Sequence, residues 1–222
     1  MKTPAKLDLY KLHKLEYAAT GKPALIEARP AQYLAISGRG APGGDEFTAR
    51  IGALYGAAFT IKMARKSGGQ QDYAVCKLEG QWWCPGVSGN FARVPKSRWH
   101  WKLLIRTPDF VRGKELESAV ATLLERGKAP EVKEVRLETI HEGRCVQMLH
   151  VGPYEREHET MAVMEAHAAK HGLVFSGVHH EIYLSDPRRV APERLRTILR
   201  HPVAPAAGAG ATRTRANARL GR

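Results

Sequence analysis

One acidic residue stands alone in an otherwise apolar and aromatic strand near the end of the chain. The segment HHEIYLSDP places Glu181 beside Ile182, Tyr183 and Leu184. Burying a carboxylate costs free energy unless a partner compensates for it, so packing alone gives no reason for an acid in such a strand. Two interpretations remain open. Glu181 faces solvent from an edge strand, or it lies at the base of a binding site.

Aromatic residues are the second chemical signal in the sequence. Packing in a core explains any single one of them. Their number around one acid favours an aromatic box for flat, hydrophobic and in some cases cationic molecules. Seven lie on segments that could face a common cleft: Tyr55, Tyr73, Trp82, Trp83, Trp99, Trp101 and Tyr183.

A glycine-rich segment after the first strand suggests a different chemistry. GRGAPG, residues 38–43, matches the pattern of a dinucleotide-binding turn between a strand and a helix. However, Asp45 and Glu46 follow it and place negative charge where a pyrophosphate would bind. The sequence also lacks the strand and helix alternation of a doubly wound sheet. We therefore favour a structural turn and expect no dinucleotide cofactor.

Metal ligands and disulfides are not indicated. His167 and His171 are four residues apart on a predicted helix, but no HExxH motif or obvious third ligand accompanies them. The three cysteines are far apart and form no CxxC pair, as expected of buried thiols. We expect neither a metal nor another cofactor.

The composition indicates an ordinary globular protein with a basic excess. The chain has 222 residues, a net charge of +13, and no apolar run of membrane-spanning length or signal-peptide type. This predicts a cytoplasmic protein that does not bind membranes. Much of the charge lies in the two ends, which makes nucleic acid an unlikely partner. The sequence does not distinguish a monomer from a dimer.

The periodicity of apolar residues predicts three helices and six strands. The expected helices span residues 45–65, 114–126 and 153–171, and the strands span 32–37, 72–79, 98–106, 132–140, 144–151 and the segment around Glu181. We predict an N-terminal arm with little regular structure at 1–28, one domain at 29–202, and a disordered basic tail at 203–222.

An internal repeat links the two parts of the domain. YLAISG, a helix and DYAVCKLEG in the first part resemble QMLHVG, a helix and HHEIYLSD in the second. Two such halves related by a pseudo-twofold axis would leave a cleft between them, and ligands often bind between packed repeats.

Several ordered motifs resemble the GyrI-like small-molecule-binding family. They are LAISGRG, IGALY, YAVCKLEGQW, IRTPDFV, QMLHVGPY and HHEIYLSDPRRVAPERLRTILR, and together they cover about residues 22–203. The most similar branch consists of stand-alone proteins that hydrolyse cyclopropane-bearing DNA-alkylating compounds. The resemblance implies an α+β fold of duplicated strand-helix-strand-strand halves around a central ligand cleft. Lys77 departs from the family pattern, which has proline at this position.

The resemblance also implies site residues and a reaction. It places Glu181 as the pocket acid and general base, assisted by a tyrosine, either Tyr73 or Tyr55. Aromatic contacts carry over to Trp83 and Trp101, with Tyr183 beside the acid. The implied activity is cofactor-independent ring opening by water. The alternative is a non-catalytic protein that sequesters hydrophobic or cationic drugs or inhibits an enzyme such as gyrase by contact. No helix-turn-helix segment is evident.

Overall fold

The computed structural model describes residues 5–87 and 94–206. The helices are α1 (Leu9–Leu12), α2 (Lys14–Tyr17), α3 (Asp45–Ser67), α4 (Gly113–Glu125) and α5 (Glu157–Lys170). The strands are β1 (Ala24–Ala28), β2 (Ala31–Arg39), β3 (Leu78–Trp83), β4 (His100–Arg106), β5 (Arg136–Ile140), β6 (Gly143–Val151), β7 (Leu173–Phe175), β8 (His179–Tyr183) and β9 (Arg196–Pro205). In this part of the chain no helix is long and apolar enough to cross a membrane.

Two halves of equivalent topology build the sheet. The first runs β2-α3-β3-β4 and the second β6-α5-β8-β9, and in each half the last strand lies between the other two. The row is therefore β6-β9-β8-β3-β4-β2, with β8 and β3 paired at its centre. This arrangement confirms the predicted duplicated α+β fold.

Exchange of strands joins the two ends of this row. Only residues 29–30 separate β1 from β2, and only residues 141–142 separate β5 from β6. β1 pairs with β6, while β2 pairs with β5, so each half receives an edge strand from the segment preceding the other half. These short connections bring the two edges of the sheet near each other, so the sheet is curved and has an inner face.

Helix α3 forms as its apolar periodicity predicts. Leu54, Ala58 and Ile61 are buried in the main core cluster, and Asp45 and Glu46 occupy the first turn, where they complement the helix dipole. The preceding glycine segment makes the turn into the helix, with Gly40 at φ 96° and Gly43 at φ 91°. The strand pairings in the described residues are antiparallel, so the setting of a doubly wound sheet is absent there.

Charged residues fill the inner face behind the β3–β8 pair. His180 contacts two carboxylates, with Nε2 3.0 Å from Oε2 of Glu79 and Nδ1 2.9 Å from Oε1 of Glu142. Arg200 adds a second ion pair, because its Nη1 lies 3.0 Å from Oε2 of Glu142. Burial alone would lower the pKa of His180, but Glu142 and Glu79 raise it to about 9.

The N-terminal segment is part of this interior, so the prediction of an arm with little regular structure at 1–28 is wrong. Residues 5–20, which we call the N-terminal plug, bring Glu16 to Arg106 (2.7 Å between Oε2 and Nη1) and the Tyr17 hydroxyl to Glu79 (3.0 Å). The plug is ordered because its polar groups satisfy buried charges, a long-range effect that local composition does not reveal. Residues 1–4 lie outside the described residues.

Two further boundaries differ from the expectations. β9 continues to Pro205, with Val203 buried against β7, so the boundary expected after residue 202 falls inside a strand. The rest of the expected tail, from residue 207, lies outside the described residues. The strand expected at 72–79 begins later, since β3 covers Leu78–Trp83 and its ladder with β4 extends through Trp82 and Trp83.

Removal of the last strand residues should destabilise the domain. A chain ending at Pro202 loses the burial of Val203 and the pairing with β7, which together contribute about 2 kcal/mol. We expect its Tm to be roughly 4–8 °C below that of a chain ending at Ala206, measured by calorimetry. Equal melting temperatures for the two truncations would show that residues 203–206 add nothing to stability.

The His180 ion pairs should make the free energy of unfolding fall as pH becomes alkaline. The pKa of about 9 in the folded protein lies above the ordinary 6.5. The His180 ion pairs therefore stabilise the fold fully below about pH 6.5, and this stabilisation is lost as pH rises towards about 9. Over that range the free energy of unfolding falls by about 1.4 kcal/mol per pH unit. Urea unfolding across this range should show the decline in the parent and in His158→Gln, an exposed control, but not in His180→Gln. A flat parent profile would contradict the pairing.

Candidate functional site

Strand alternation brings the site together on the face of the sheet opposite the charged interior. Because His180 points inward, its neighbours His179 and Glu181 point to the other face, as does Tyr183. The first turn of α5 lies over this face, since Glu157 reaches Glu181. Across the central pair, β3 places Gly80 opposite Glu181 and Trp82 opposite His179.

A directed chain of hydrogen bonds ends on the carboxylate of Glu181. The indole Nε1–H of Trp82 donates to the Tyr183 hydroxyl oxygen at 3.1 Å, and that hydroxyl donates to Oε2 of Glu181 at 2.7 Å. Burial, reinforced by the charge of Glu181, raises the pKa of Tyr183 well above its ordinary value. Tyr183 therefore remains a proton donor and fixes one oxygen of the acid.

A second acid lies beside the first. Glu157 is buried and within hydrogen-bonding reach of Glu181 and of the Thr197 hydroxyl on β9. Burial, followed by the charge of Glu181, raises the pKa of Glu157 well above its ordinary range. A Glu157 carboxyl that keeps its proton can donate it to the carboxylate of Glu181. The ring nitrogen Nε2 of His179 lies 3.3 Å from the other oxygen, Oε1.

Gly80 provides the space in which this chain of hydrogen bonds fits. A Cβ atom at this position would lie 2.9 Å from both Nε1 of Trp82 and the hydroxyl oxygen of Tyr183. That separation is too short for either atom to keep its place. The residue opposite Glu181 is therefore restricted to glycine by the hydrogen-bonded pair beside it.

Aromatic rings surround the acids. Tyr154, half-buried before α5, packs edge-on against Tyr183 with 6.0 Å between ring centroids. On the other side Trp82 stacks with Phe47 of α3 at 5.9 Å and meets Trp99 edge-on at 6.0 Å. Burial raises the pKa of Tyr154 to about 12, with the charges of Glu157 and Glu181 adding to the effect. Its hydroxyl is thus a second donor at the site.

Of the residues expected at the site, the structure brings Glu181 and Tyr183 together. Tyr73 is in the core, where its ring meets Phe110 edge-on at 5.9 Å, and the tyrosine bonded to Glu181 is Tyr183. Tyr55 lies on α3, stacked with Phe59 at 6.1 Å, and its hydroxyl contacts the backbone of Leu78.

The two expected tryptophans lie away from the acids. Trp101 shares a sheet face with Trp82, but it is 0% exposed and its ring covers Gly38, where a Cβ would lie 2.2 Å from the indole. Trp83 packs on His100 at 5.7 Å. Because neighbouring strand residues point to opposite faces, Trp82 and Trp83 do not share a site.

The residues that the sequence reasoning missed are Glu157, Tyr154 and Gly80. Trp82 was among the aromatic candidates, but Trp83 was assigned to the site in its place, although only one residue of an adjacent pair in a strand can face Glu181. Glu157 resembles an ordinary acid in the first turn of a helix, and nothing local marks it as buried. In the described ranges, no cluster of three or more His, Cys, Asp or Glu residues has the arrangement of a metal site.

Comparison with known proteins agrees with this architecture. Residues 106–204 match the GyrI-like small molecule binding domain. An uncharacterized conserved protein from Listeria innocua is 38% identical with a TM-score of 0.83, and the alignment covers 90% of this chain and 100% of that one. A hydrolase from Listeria innocua, encoded by lin2189, is 37% identical with a TM-score of 0.81 and the same coverage.

More distant structures share the fold. The C-terminal domain of EcmrR is 10% identical with a TM-score of 0.54, and the alignment covers 83% of this chain and 98% of that one. A search of curated proteins finds no match. The alignments with the Listeria proteins extend over the whole length of those proteins. The GyrI-like domain match at residues 106–204 contains the Glu181 strand and α5. On this evidence the chain belongs to the GyrI-like family of small-molecule-binding proteins.

Proposed function

We propose that this protein binds flat, hydrophobic molecules at Glu181 and hydrolyses those that carry a strained cyclopropane conjugated to a carbonyl. The observation that carries the proposal is the buried carboxylate of Glu181, which the Tyr183 hydroxyl holds at 2.7 Å among aromatic rings. The similarity to a Listeria innocua hydrolase supports an enzymatic activity. The outcome for the cell would be detoxification of hydrophobic DNA-alkylating compounds, in the cytoplasm.

The chemistry requires a base and an oxyanion donor. Water attacks a ring carbon, the strained C–C bond breaks, and its electron pair moves through the conjugated system to the carbonyl oxygen, which becomes a phenolate. Glu181 accepts the proton that water loses. The hydroxyl of Tyr154 donates a hydrogen bond to the developing phenolate oxygen. The phenolate then takes up a proton from solvent water, and Glu181 returns the proton that it accepted to solvent, which restores the base. Every participating group belongs to the chain, the substrate or water.

Each neighbour of Glu181 has a defined task in this scheme. Tyr183 orients the carboxylate, and Trp82 orients Tyr183 through its indole N–H. Protonated Glu157 avoids a second negative charge beside the base. The rings of Tyr154 and Tyr183 supply apolar area for a planar substrate. The charge of Glu181 also suits hydrophobic cations, which extends the range of ligands beyond substrates.

A non-catalytic binder is the second candidate, and the family match favours it because that domain is described by small-molecule binding. Such a protein would sequester hydrophobic or cationic compounds without changing them, or act on a partner such as gyrase. Counting turnovers separates the two functions. A binder removes at most one equivalent of a cyclopropane compound, whereas an enzyme continues until the compound is consumed.

Glu181→Gln should abolish most of the activity while sparing the shape of the site. We expect the ring-opening rate to fall by about 10²–10⁴-fold, the usual contribution of a positioned base. Neutral aromatic ligands should bind as before, because stacking does not need the charge. Product formation is measured by mass spectrometry under single-turnover conditions, with the exposed Glu165→Gln as control. A parent-like rate for Glu181→Gln would rule out the proposed base.

Gly80→Ala tests the hydrogen-bond chain without touching an acid. The added methyl group must displace the Trp82 indole or the Tyr183 hydroxyl, each 2.9 Å from the new Cβ. Misplacement of this kind should lower kcat by about 10–100-fold with the fold retained. Gly56→Ala is the matched control, because its Cβ would meet Leu123 at an ordinary 3.6 Å. Unchanged kcat in Gly80→Ala would show that Tyr183 does not position the base.

A further inference from the structure

A cavity of about 570 Å³ opens where the N-terminal plug meets the loop between β4 and α4. No residue that lines it belongs to the Glu181 site. Cavities of this size accommodate small organic ligands. Much of the wall is apolar and consists of Leu7, Leu9, Leu12, Pro30, Pro108 and Phe110.

Arginine is the most frequent polar residue in the cavity lining. Arg29, Arg106 and Arg112 face the cavity, and Asp109 is the one acid of the lining. Arg106 is buried and paired with Glu16 at 2.7 Å, so its charge is compensated. Arg29 and Arg112 are exposed at the rim. Arg29 makes two looser contacts, 3.5 Å between its Nε and Oε1 of Glu16 and 3.4 Å between its Nη2 and Nδ1 of His13.

The ionisation of His13 reports a positive environment at this place. Burial and then the charge of Arg106 lower the pKa of His13, and Arg29 adds to the effect; Glu16 and Asp109 oppose it only in part. His13 is therefore neutral at pH 7, and the neighbouring arginines provide the positive charge.

Thr107 belongs to the cavity wall, but its hydroxyl is not accessible from the cavity. Thr107 is 2% exposed, and its Oγ1 has almost no accessible surface. Its backbone is fixed, because its N–H donates to the carbonyl of Gln32 at 2.9 Å. The Tyr73 hydroxyl is the partner of the Thr107 hydroxyl on the core side. Polar recognition of a ligand in the cavity therefore depends on the arginines.

The loop that leads from Thr107 to Arg112 is held rigidly. The side-chain amide of Gln32 donates to the carbonyls of Pro108 and Val111 at 2.9 and 3.1 Å. Arg112 thus keeps a fixed backbone position at the cavity rim.

We propose that this cavity binds a small organic monoanion with an apolar body. Its carboxylate accepts hydrogen bonds from the guanidinium groups of Arg29 and Arg112. Guanidinium groups match carboxylates in geometry as well as charge. The apolar body packs against Leu9, Leu12 and Phe110. Asp109 disfavours a second negative charge, so dicarboxylates bind less well.

Decanoate is a suitable probe for this site, measured by isothermal titration calorimetry with the full-length protein. The parent should bind one equivalent saturably. Arg112→Gln should weaken binding about tenfold or more, as expected for loss of a charge-assisted hydrogen bond. Arg29→Gln should weaken binding by a similar factor. Both arginines are exposed at the rim, so neither substitution should change Tm appreciably.

Matched controls separate this site from the Glu181 site and from general surface binding. Arg126→Gln, at the other end of α4, should bind decanoate as the parent does, and so should Glu181→Gln. Decanol and decyltrimethylammonium should bind at least tenfold more weakly than decanoate. Parent-like binding in both Arg112→Gln and Arg29→Gln would overturn the proposal, as would loss of binding in Glu181→Gln. Arg112→Gln should leave ring opening unchanged.

Discussion

The antiparallel pairing of β3 with β8 is the contact on which the rest of the structure depends. It joins the two halves at the centre of the sheet, and its register sets Gly80 against Glu181. A shift of β8 by one residue against β3 would exchange the two faces of β8. Glu181 would then enter the charged interior, and His180 would meet the aromatic rings. The same pairing thus fixes the chemistry of both sides of the sheet.

The interior network explains why this register holds. It combines three cations and three carboxylates, namely Arg106, Arg200, His180, Glu16, Glu79 and Glu142. Burying charges is costly, and removing one partner of such a pair typically costs about 3–5 kcal/mol because the other remains uncompensated. Any alternative register breaks several pairs at once. The network thereby gives specificity to the fold, and the N-terminal plug is the element that completes it.

Local periodicity was sufficient for α3, α4 and α5, for β2, β4, β5, β6 and β8, and for the duplication. It did not predict α1, α2, β1, β7 or β9. The stripe on α3 and the alternation around Glu181 are properties of consecutive residues, and Tyr183 follows from Glu181 by a spacing of two. The plug, the extension of β9 and the burial of Glu157 depend on contacts between residues far apart in the chain. An aromatic residue type predicts that a side chain is buried but not the cluster in which it is buried, as Tyr73 and Trp101 show.

The strand exchange between the halves has a consequence for how such a chain could arise. Each half alone would lack the edge strand that now comes from the segment preceding the other half. One edge of β3 or β8, the strands that meet at the centre of the sheet, would also be unpaired. A half-length ancestor would satisfy both edges by meeting a second copy of itself through the same contacts. Gene fusion would then have freed the two copies to diverge, with a glycine kept at one side of the former symmetry axis and an acid acquired at the other.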